Sequence, residues 1–426
     1  MKKIISVPGG IKINGKFQSG GSKNSVLFLI CASLLFDDEV VIFNVPNIYD
    51  VDILLSLIKK MNVDIEYTKE KKEIKIYNQK NIINYLDVEL AQKLRGSIAL
   101  LCPLIYRFKS IKIPFPGGDK IGNRSIDELL RALNLMGATT EIHDDCYIIK
   151  RHDKLKAFNI NLKCKSHTVT MCLIMLASII DDNCIVKNYS LEPEIKDLIK
   201  MMINAGVSIK TRDKTSISIC NNGKLKSTYI ETMPDRTEIA SYVIAALATG
   251  GQIHLTKKDF LALDPTFIEI IKDIGANIQV NFENIIISGK DEYNCFFLST
   301  GPYPEFHSDL QSIFIPLSNK CKGICSLTET MFENRFNQNE DFEKLGYNLK
   351  LNNNKLCIYP SLKTNKNTHV YCKDIRGGFA LIVAALQLSK DTTTDLNNVE
   401  VIERGYENLL YKFKLLGVNF QIKEEN

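Results

Sequence analysis

Hydrophobic and polar residues follow one plan that recurs six times along the chain. Each segment opens with a run rich in Ala, Leu and Ile that is long enough for a helix, followed by a short strand, a polar loop, an amphipathic helix and a closing strand. A repeat of this kind predicts one supersecondary unit per segment, stacked on its neighbours. The segments begin about 70 residues apart, at Lys23, Arg95, Val169, Arg236, Asp309 and Gly377.

The two helices of each segment differ in the surface that they can bury. The first helices are apolar nearly all round, a pattern typical of helices that are buried on every side. The second helices, as at 268–273 and 409–416, keep the 3.6-residue period of a half-exposed helix. Most of them end in glycine before a strand, which favours a left-handed helix stop. The first helices are predicted over residues 25–35, 98–106, 171–179, 239–247 and 379–388.

Six such segments predict an α/β protein with two lobes of three repeats each. The helices should lie inside each lobe and the sheets around them, which is a two-lobed inside-out α/β barrel built from βαβαββ-like repeats. The N-terminal strand at 2–7 precedes the first repeat, so we expect it to pair near the C-terminal strand of the last one. Lobe one is predicted over residues 22–233, with a catalytic loop at 114–124, and lobe two over residues 1–21 and 234–426.

The chain then passes between the lobes twice, near Gly20 and near Met233. Two lobes joined by two crossings predict a cleft that opens and closes. The charged residues after the second crossing, Asp235, Arg236 and Glu238, are expected to order this hinge rather than to take part in chemistry.

Composition narrows the class of protein. The 426 residues are 45% hydrophobic and 24% charged, as in ordinary globular proteins. No apolar run reaches the roughly 18–20 residues that span a bilayer, and the N-terminus lacks an apolar core of signal-peptide length, so we expect a cytoplasmic protein. The net charge of +5 is mild, and no basic block interleaved with aromatics indicates nucleic acid. The twelve cysteines, with Cys321 and Cys325 the closest pair, lack zinc-type spacing and are interpreted as reduced packing residues.

The loop at 114–124, PFPGGDKIGNR, has the most distinctive local chemistry. Two prolines stiffen its entrance, and three glycines allow backbone angles that other residues avoid. It carries one carboxylate, Asp119, and two cations, between a predicted strand at 110–113 and a predicted helix that begins near Ser125. Taken alone, it is either a solvated surface turn or a mobile segment that brings an acid to an anionic substrate.

Ordered strings along essentially the whole chain resemble the enolpyruvyl transferases, and the UDP-N-acetylglucosamine 1-carboxyvinyltransferase branch more closely than the shikimate branch. The family fold has two inside-out α/β lobes of three repeats each, which agrees with the repeat count above. The matching strings are GGIKINGKFQSGGSKNSVL, RGSI, PGGDKIGNRSIDEL, EPEI, MPDRTEIASYVIAA, SDLQS, TETMFENRF, DIRGGFALIVAAL and ERGYE.

The resemblance implies a transferase that moves the enolpyruvyl group of phosphoenolpyruvate onto a sugar hydroxyl and releases phosphate, by addition followed by elimination. In the branch named above the acceptor is the 3-hydroxyl of UDP-N-acetylglucosamine, at the first committed step of peptidoglycan precursor synthesis. Cations must then converge on the phosphate and carboxylate of phosphoenolpyruvate. A proton must reach its methylene carbon, and the sugar hydroxyl must lose a proton. The two substrates are the expected partners, with no metal, organic cofactor, nucleic acid or membrane. The oligomeric state is not readable from the sequence.

The resemblance also implies roles for single residues. Asp119 stands where the family usually has a cysteine that acts as general acid; some members carry aspartate there. Asp309 is expected to accept the proton of the sugar hydroxyl, or to cap a helix, and Asp374 to orient Lys23 or Arg376. Lys23 is expected to take part in catalysis as well as in binding. Phosphoenolpyruvate should contact Lys23, Asn24, Arg124, Arg376 and Arg404, and the nucleotide sugar should contact Arg95, Arg124, Ser125, Ile126, Asp127, Glu128, Ser166, Asp309 and Met331.

Because fosfomycin alkylates the loop thiol of relatives, and a carboxylate is a far weaker nucleophile, Asp119 predicts a fosfomycin-insensitive enzyme.

The chain departs from the family pattern at 164–171. A small Ser-Val-Gly-like turn is replaced by Ser166-His167-Thr168, and a Glu-Asn pair by Thr170-Met171. His167 is interpreted as a solvated loop residue in preference to a ligand contact. The aromatic residue that commonly follows RGSI is Ala99 here. These changes bear on the acceptor more than on the chemistry.

Three hypotheses follow. The protein is the peptidoglycan enzyme, an enolpyruvyl transferase with another nucleotide or sugar acceptor, or a non-catalytic regulator that binds a UDP-sugar. The retention of Lys23, Asp119, Arg124, Asp309 and Arg404 argues against the third hypothesis, because a protein that only binds need not keep the acid.

Overall fold

The computed structural model describes residues 2–77, 81–122, 124–221, 223–282, 284–361 and 367–425. The chain divides into two compact units. The central unit comprises Gly21–Gly118 and Arg124–Met233, and the C-terminal unit comprises Met1–Gly20, Asp119–Asn123 and Pro234–Asn426. The 114–124 loop was predicted to lie wholly in the first lobe; instead its tip, from Asp119, belongs to the C-terminal unit. Asn123 of this loop lies outside the described residues.

The core of the central unit consists of the apolar first helices of three repeats, which pack on one another. Most of their side chains are buried, as the pattern predicts, although Tyr106 is 39% exposed. The half-exposed second helices lie outside this core. The core helices are Lys23–Ser33, a 3-10 turn Arg95–Leu100 continued by Leu101–Arg107, and His167–Ala177. The outer helices are Tyr49–Lys59, Val88–Lys93, Asp127–Leu135 and Pro193–Asn204.

The C-terminal ends of these core helices have carbonyl groups without a helical partner, and side chains from other segments satisfy them. Arg107 donates to the carbonyls of Leu34 at 3.0 Å and Phe36 at 2.9 Å. Arg151 donates to Ile105 at 2.7 Å in the same way. The end of the first core helix is thereby fixed to the second repeat, and the end of the second core helix to a strand of its own repeat.

The C-terminal unit repeats this plan with one interruption. Its core helices are buried along their whole length, but in the fifth repeat the helix is broken into short turns around Pro316, since proline cannot continue the hydrogen-bond ladder. The core elements are Arg236–Thr249, Ser308–Leu310, Gln311–Phe314, Pro316–Lys320 and Ile375–Leu386. The outer helices are Lys257–Ala262, Pro265–Asp273, Asn339–Lys344, Glu400–Glu403 and Leu409–Leu415.

The described strands of the central unit form three open sheets around its helices. The last strand of the unit, Thr228–Glu231, returns to pair in parallel with Val40–Phe43 of the first repeat. In hydrogen-bonded order the sheets are Thr228–Glu231, Val40–Phe43, Glu73–Ile76 and Ile65–Thr68; Ser110–Pro114, Cys146–Arg151 and Ala138–Ile142; and Ser208–Asp213, Ser216–Cys220, Cys184–Lys187 and Asn159–Asn161.

The C-terminal unit also has three open sheets in the described ranges. The N-terminal strand Lys2–Pro8 lies between Thr393–Asn397 and Gln421–Glu425, antiparallel to both, which confirms that it completes the last repeat. In order, the sheets are Asn277–Val280, Asn284–Ser288, Gln252–Thr256 and Asn14–Phe17; Phe297–Ser299, Cys325–Thr328, Lys355–Tyr359 and Asn348–Asn352; and Thr368–Tyr371, Thr393–Asn397, Lys2–Pro8 and Gln421–Glu425.

Helix stops follow the predicted glycines. The glycine after the outer helix of five repeats has a positive φ, between 88° and 100°, and Asn62 takes that conformation in the first repeat, with φ 64°. Among the described residues, no helix is both long enough and apolar enough to cross a membrane.

Candidate active site

In the C-terminal unit, Asp309 lies between two buried arginines. Its carboxylate accepts a hydrogen bond from Nη2 of Arg335, and Nε and Nη2 of Arg376 lie 3.4 Å from its Oδ2. The side chains of Arg335 and Arg376 are 2% and 5% exposed, against 24% for Asp309. Asp309 does not cap a helix, since the capping position of its 3-10 turn is His307. The carboxylate is thus the partly open member of a buried charge cluster.

The environment keeps both arginines charged. Burial alone would lower the pKa of Arg335, but the carboxylates around it, Asp309 first, raise it. Burial also opposes the charge of Arg376, and Tyr406 and Asp309 outweigh it, so the pKa of Arg376 is raised. The Arg376 guanidinium lies over the Tyr406 ring, 5.0 Å from its centroid. Its Nη1 is buried and has no hydrogen-bond partner among the described residues, so the N–H groups of this atom can bind an anion.

Asp374 orients Arg376 through the main chain. It caps the helix Ile375–Leu386 by accepting hydrogen bonds from the backbone N–H groups of Arg376 at 3.0 Å and Gly377 at 2.9 Å. The sequence led us to expect a bond to the side chain of Arg376 or of Lys23. The cap instead fixes the first turn of the helix, from which the Arg376 side chain extends.

Asp119 meets Arg404 within the same unit. Nη1 of Arg404 donates to Oδ1 of Asp119 at 2.6 Å, and the two side chains are 17% and 14% exposed. The loop around Asp119 is fixed by its neighbours: the backbone N–H of Asn334 donates to the Ile121 carbonyl at 2.9 Å, and the Ile121 side chain is buried. The predicted acid and one predicted phosphate ligand therefore form an ion pair.

Two loop glycines allow close approaches that a side chain would prevent. A Cβ at Gly117 would lie 1.5 Å from the backbone oxygen of Gln92, within the central unit. A Cβ at Gly122, whose φ is +141°, would lie 2.9 Å from the backbone nitrogen of Glu333, within the C-terminal unit. Both ends of the loop are thus held by backbone contacts.

Met331 follows Glu329, a buried carboxylate that organises the chain beside Asp309. Glu329 accepts hydrogen bonds from the Ser308 hydroxyl and the Thr300 hydroxyl, each at 2.8 Å, and from the backbone N–H of Met331 at 2.8 Å. It thereby connects the position of Met331 to the turn that carries Asp309.

In the central unit, Lys23 begins the first core helix, and half-buried Asn24 is its second residue. The Lys23 ammonium lies 2.7 Å from Oδ2 of Asp50, whose side chain is 1% exposed. The first turn of this helix contains no acidic residue. A cation at a helix N-terminus opposes the helix dipole, so the buried carboxylate of Asp50 compensates for its position.

Arg95 and Arg124 lie together in the same unit. Nη2 of Arg95 donates to the backbone carbonyl of Arg124. Burial, and the charge of Arg124, lower the pKa of Arg95 to about 10. Two cations held this close, one of them partly desolvated, favour an anionic ligand between them.

The residues after Arg124 serve mainly to start the helix Asp127–Leu135. The Ser125 hydroxyl accepts from the backbone N–H of Asp127 at 3.0 Å, Ile126 is buried, and Asp127 is exposed. Glu128 accepts from Arg131 at 2.6 Å. Of these four residues, Ser125 and Asp127 have exposed side chains.

Ser166 caps the helix His167–Ala177 by accepting from the backbone N–H of Val169 at 3.4 Å. His167 is the first residue of that helix and not part of a solvated loop. Its ring packs edge-on against Phe28, with centroids 5.3 Å apart. Nε2 of His167 is buried and has no hydrogen-bond partner among the described residues.

The structure adds Arg335 and Glu329 to the site residues inferred from the sequence. Both lie in TETMFENRF, one of the strings that resemble the family, in which only Met331 was predicted to contact a substrate. A separate cavity of about 960 Å³ in the central unit, with Leu35, Tyr106 and Ile180 in its wall, contains none of the predicted site residues.

Comparisons with known proteins identify the family of the chain. The family model of EPSP synthase (3-phosphoshikimate 1-carboxyvinyltransferase) matches residues 7–413. The UDP-N-acetylglucosamine 1-carboxyvinyltransferase of Pelagibacter ubique is 31% identical over 421 residues, covering 99% of this chain and 99% of the relative. UDP-N-acetylglucosamine 1-carboxyvinyltransferase 2 of Clostridium tetani is 33% identical over 418 residues, covering 98% and 99%.

Solved structures show the same fold. The enolpyruvyl transferase NikO from Streptomyces tendae has a TM-score of 0.89 at 17% identity, with both chains covered completely. EPSP synthase from Acinetobacter baumannii has a TM-score of 0.71 at 17% identity, again with both chains covered completely. The predicted fold class is therefore confirmed, and the chain belongs to the enolpyruvyl transferase family, together with the UDP-N-acetylglucosamine 1-carboxyvinyltransferases.

Proposed function

We propose that this protein transfers the enolpyruvyl group of phosphoenolpyruvate to the 3-hydroxyl of UDP-N-acetylglucosamine and releases phosphate, as the first committed step of peptidoglycan precursor synthesis. The UDP-N-acetylglucosamine 1-carboxyvinyltransferases that match this chain over nearly their whole length support this acceptor. The observation that carries the proposal is the pair of partly exposed carboxylates, Asp309 and Asp119, each held by arginine. The cytoplasmic location stays a prediction from the sequence.

The carboxylates take different roles. Asp309 accepts the proton of the sugar hydroxyl, so that its oxygen can form a bond to the central carbon of phosphoenolpyruvate. Arg335 and Arg376 hold Asp309 in place. Asp119, once released from Arg404 and protonated, delivers a proton to the methylene carbon and becomes a carboxylate. The same carboxylate then takes a proton back from that carbon, which expels phosphate and restores the double bond.

The cations bind the phosphate and carboxylate of phosphoenolpyruvate. In the C-terminal unit these are Arg404 and Arg376, whose buried Nη1 has no hydrogen-bond partner among the described residues. The Arg404 N–H that now binds Asp119 must be released before it can bind a phosphate oxygen. In the central unit we assign this role to Lys23, Asn24 and Arg124.

The nucleotide sugar is assigned to Arg95, to the segment around Ser125, and to Ser166, Asp309 and Met331. One observation favours the alternative function, an enolpyruvyl transferase that uses another nucleotide or sugar acceptor. His167 presents a buried Nε2 that has no hydrogen-bond partner among the described residues, at the segment where the sequence departs from the family pattern.

Phosphate release with phosphoenolpyruvate and a panel of acceptors tests the proposal. UDP-N-acetylglucosamine should give phosphate and a product heavier by one enolpyruvyl group, whereas shikimate 3-phosphate should give neither. Release with a different nucleotide sugar alone would overturn the acceptor and keep the chemistry. No release with any acceptor, from a folded protein, would favour the non-catalytic hypothesis.

A further inference from the structure

The described cysteines include two clusters of three thiols, one in each unit. In the central unit, Cys31, Cys102 and Cys172 come from the three core helices, and all are fully buried. The Cys102 thiol donates to the carbonyl of Cys172 at 3.5 Å. Burial raises the pKa of Cys31 and of Cys102 well above the ordinary value, so these thiols stay protonated and inert.

The second cluster lies in the C-terminal unit and consists of Cys295, Cys321 and Cys325; we call it the surface thiol cluster. Cys295 and Cys321 are half-buried and Cys325 is buried. The segments that carry them run in parallel: Tyr293 bridges Cys321, and the backbone N–H of Ser326 donates to Phe296 at 2.9 Å. This pairing places Cys295 beside the turn that joins Cys321 to Cys325.

Contacts among the three residues are close. A Cβ at Gly323, in the middle of the turn, would lie 3.3 Å from the sulfur of Cys295. Cys321 and Cys295 both act on the pKa of the Cys325 thiol, so Cys325 is the member common to both possible pairs. The hydrogen bond from Cys321 lowers the pKa of Cys325 to about 7.

The described residues contain no group of three or more His, Cys, Asp or Glu side chains arranged to hold a metal ion, and this holds for the surface thiol cluster too. Two half-buried thiols beside a third, buried Cys325, whose pKa is lowered, instead suit oxidation. We propose that the surface thiol cluster is a redox modification site, in which a peroxide joins Cys325 to Cys321 or Cys295 in a reversible disulfide.

The chemistry balances with hydrogen peroxide as the oxidant. A cluster thiolate attacks one peroxide oxygen, the O–O bond breaks, and the released hydroxide is protonated to water, which leaves a sulfenic acid. A neighbouring thiol then attacks the sulfenic sulfur, the S–S bond forms, the S–O bond breaks, and a second water leaves. Two thiols are oxidised and one peroxide is reduced; a dithiol reductant reverses the change.

Peptide mapping tests this proposal on the full chain. Reduced protein is treated with hydrogen peroxide, blocked with a maleimide and digested with trypsin without reduction. Lys320 and Lys322 separate the three cysteines into peptides 291–320, 321–322 and 323–335. We expect peptide 323–335 to be cross-linked to one of the other two, and dithiothreitol to release it. The thiols of Cys31, Cys102 and Cys172 should stay reduced in the folded protein.

Three variants make the test specific. Cys325→Ser should abolish the cross-link. Because Cys325 is buried, this variant risks misfolding, so the double variant Cys295→Ser/Cys321→Ser, which changes only half-buried positions, should abolish it as well. Cys164→Ser, which removes a single exposed thiol, should leave it unchanged. The proposal would be overturned if the folded wild-type protein formed no cross-link, or if the cross-link persisted in the double variant.

Discussion

Replacement of Asp309 by asparagine tests both the charge cluster and the proposed proton acceptor. The change removes the carboxylate that two arginines share. Their side chains are only 2% and 5% exposed, so water cannot replace the lost partner fully. Removal of one partner from a buried ion pair costs about 3–5 kcal/mol. We expect the lower end, about 3 kcal/mol, because Asp309 is 24% exposed and the carboxylates of Asp374 and Glu329 also stabilise Arg335.

This loss has two separate readouts. For a folding unit of this size, about 3 kcal/mol corresponds to a fall in melting temperature of about 6–12 °C. Turnover should fall by about 10²–10⁴-fold when measured well below that temperature, because an amide cannot accept the proton of the sugar hydroxyl. Phosphate release and thermal unfolding of the same preparation measure the two effects.

A matched control comes from a charge pair on the surface of the same unit. Glu292 lies 2.9 Å from Lys322, and both side chains are 63% exposed. Such pairs contribute about 0–1 kcal/mol, so Glu292→Gln should keep both the melting temperature and the turnover. If Asp309→Asn kept wild-type turnover, or lost turnover only in proportion to unfolded protein, Asp309 would not be the proton acceptor.

Three further predictions concern the substrate ligands and the loop. Lys23→Ala and Arg404→Ala should each lower the phosphoenolpyruvate turnover of the folded protein at least about tenfold, since a charge-assisted hydrogen bond contributes about 1.5–3 kcal/mol; unaltered steady-state kinetics in both would contradict their assignment. UDP-N-acetylglucosamine should protect the 114–124 loop from limited proteolysis, and equal cleavage rates with and without it would count against a loop that responds to substrate. Fosfomycin should leave the wild-type enzyme active and without a mass adduct, whereas Asp119→Cys should become sensitive and Asp119→Asn inactive; an adduct on the wild type, or full turnover by Asp119→Asn, would show that the acid is misplaced.

The repeat, the buried helices and the helix stops were predictable because they depend on local pattern. An all-round apolar run can only be buried, and this held for Arg236–Thr249 as for the other core helices. The pairing of the N-terminal strand with the last repeat followed from counting elements. The broken core helix of the fifth repeat was missed, although Pro316 signals it.

Pairings between distant residues were beyond the sequence. The bond between Asp119 and Arg404 joins residues 285 positions apart, and Asp309 and Arg376 are 67 apart. Strings that match a family indicate which residues matter, but not which atoms meet. Arg335 and Glu329 were missed for that reason, and the surface thiol cluster was missed because Cys295 is distant in sequence from the other two.

The boundaries of the core helices show where pattern reading fails and why it matters. Three helices were predicted from their first apolar residues, at 171, 239 and 379, but they begin three or four residues earlier, at His167, Arg236 and Ile375. Their first turns are polar, so a hydrophobic period cannot detect them, whereas capping by Ser166, Asp235 and Asp374 produces them. The charged side chains of these buried helices lie at their N-terminal ends, and a helix N-terminus favours anions. The fold therefore places its charged site residues, such as Arg376, in the same turns that the apolar pattern omits. In a chain of this kind, a polar residue just before an apolar run is a better indicator of the site than the run itself.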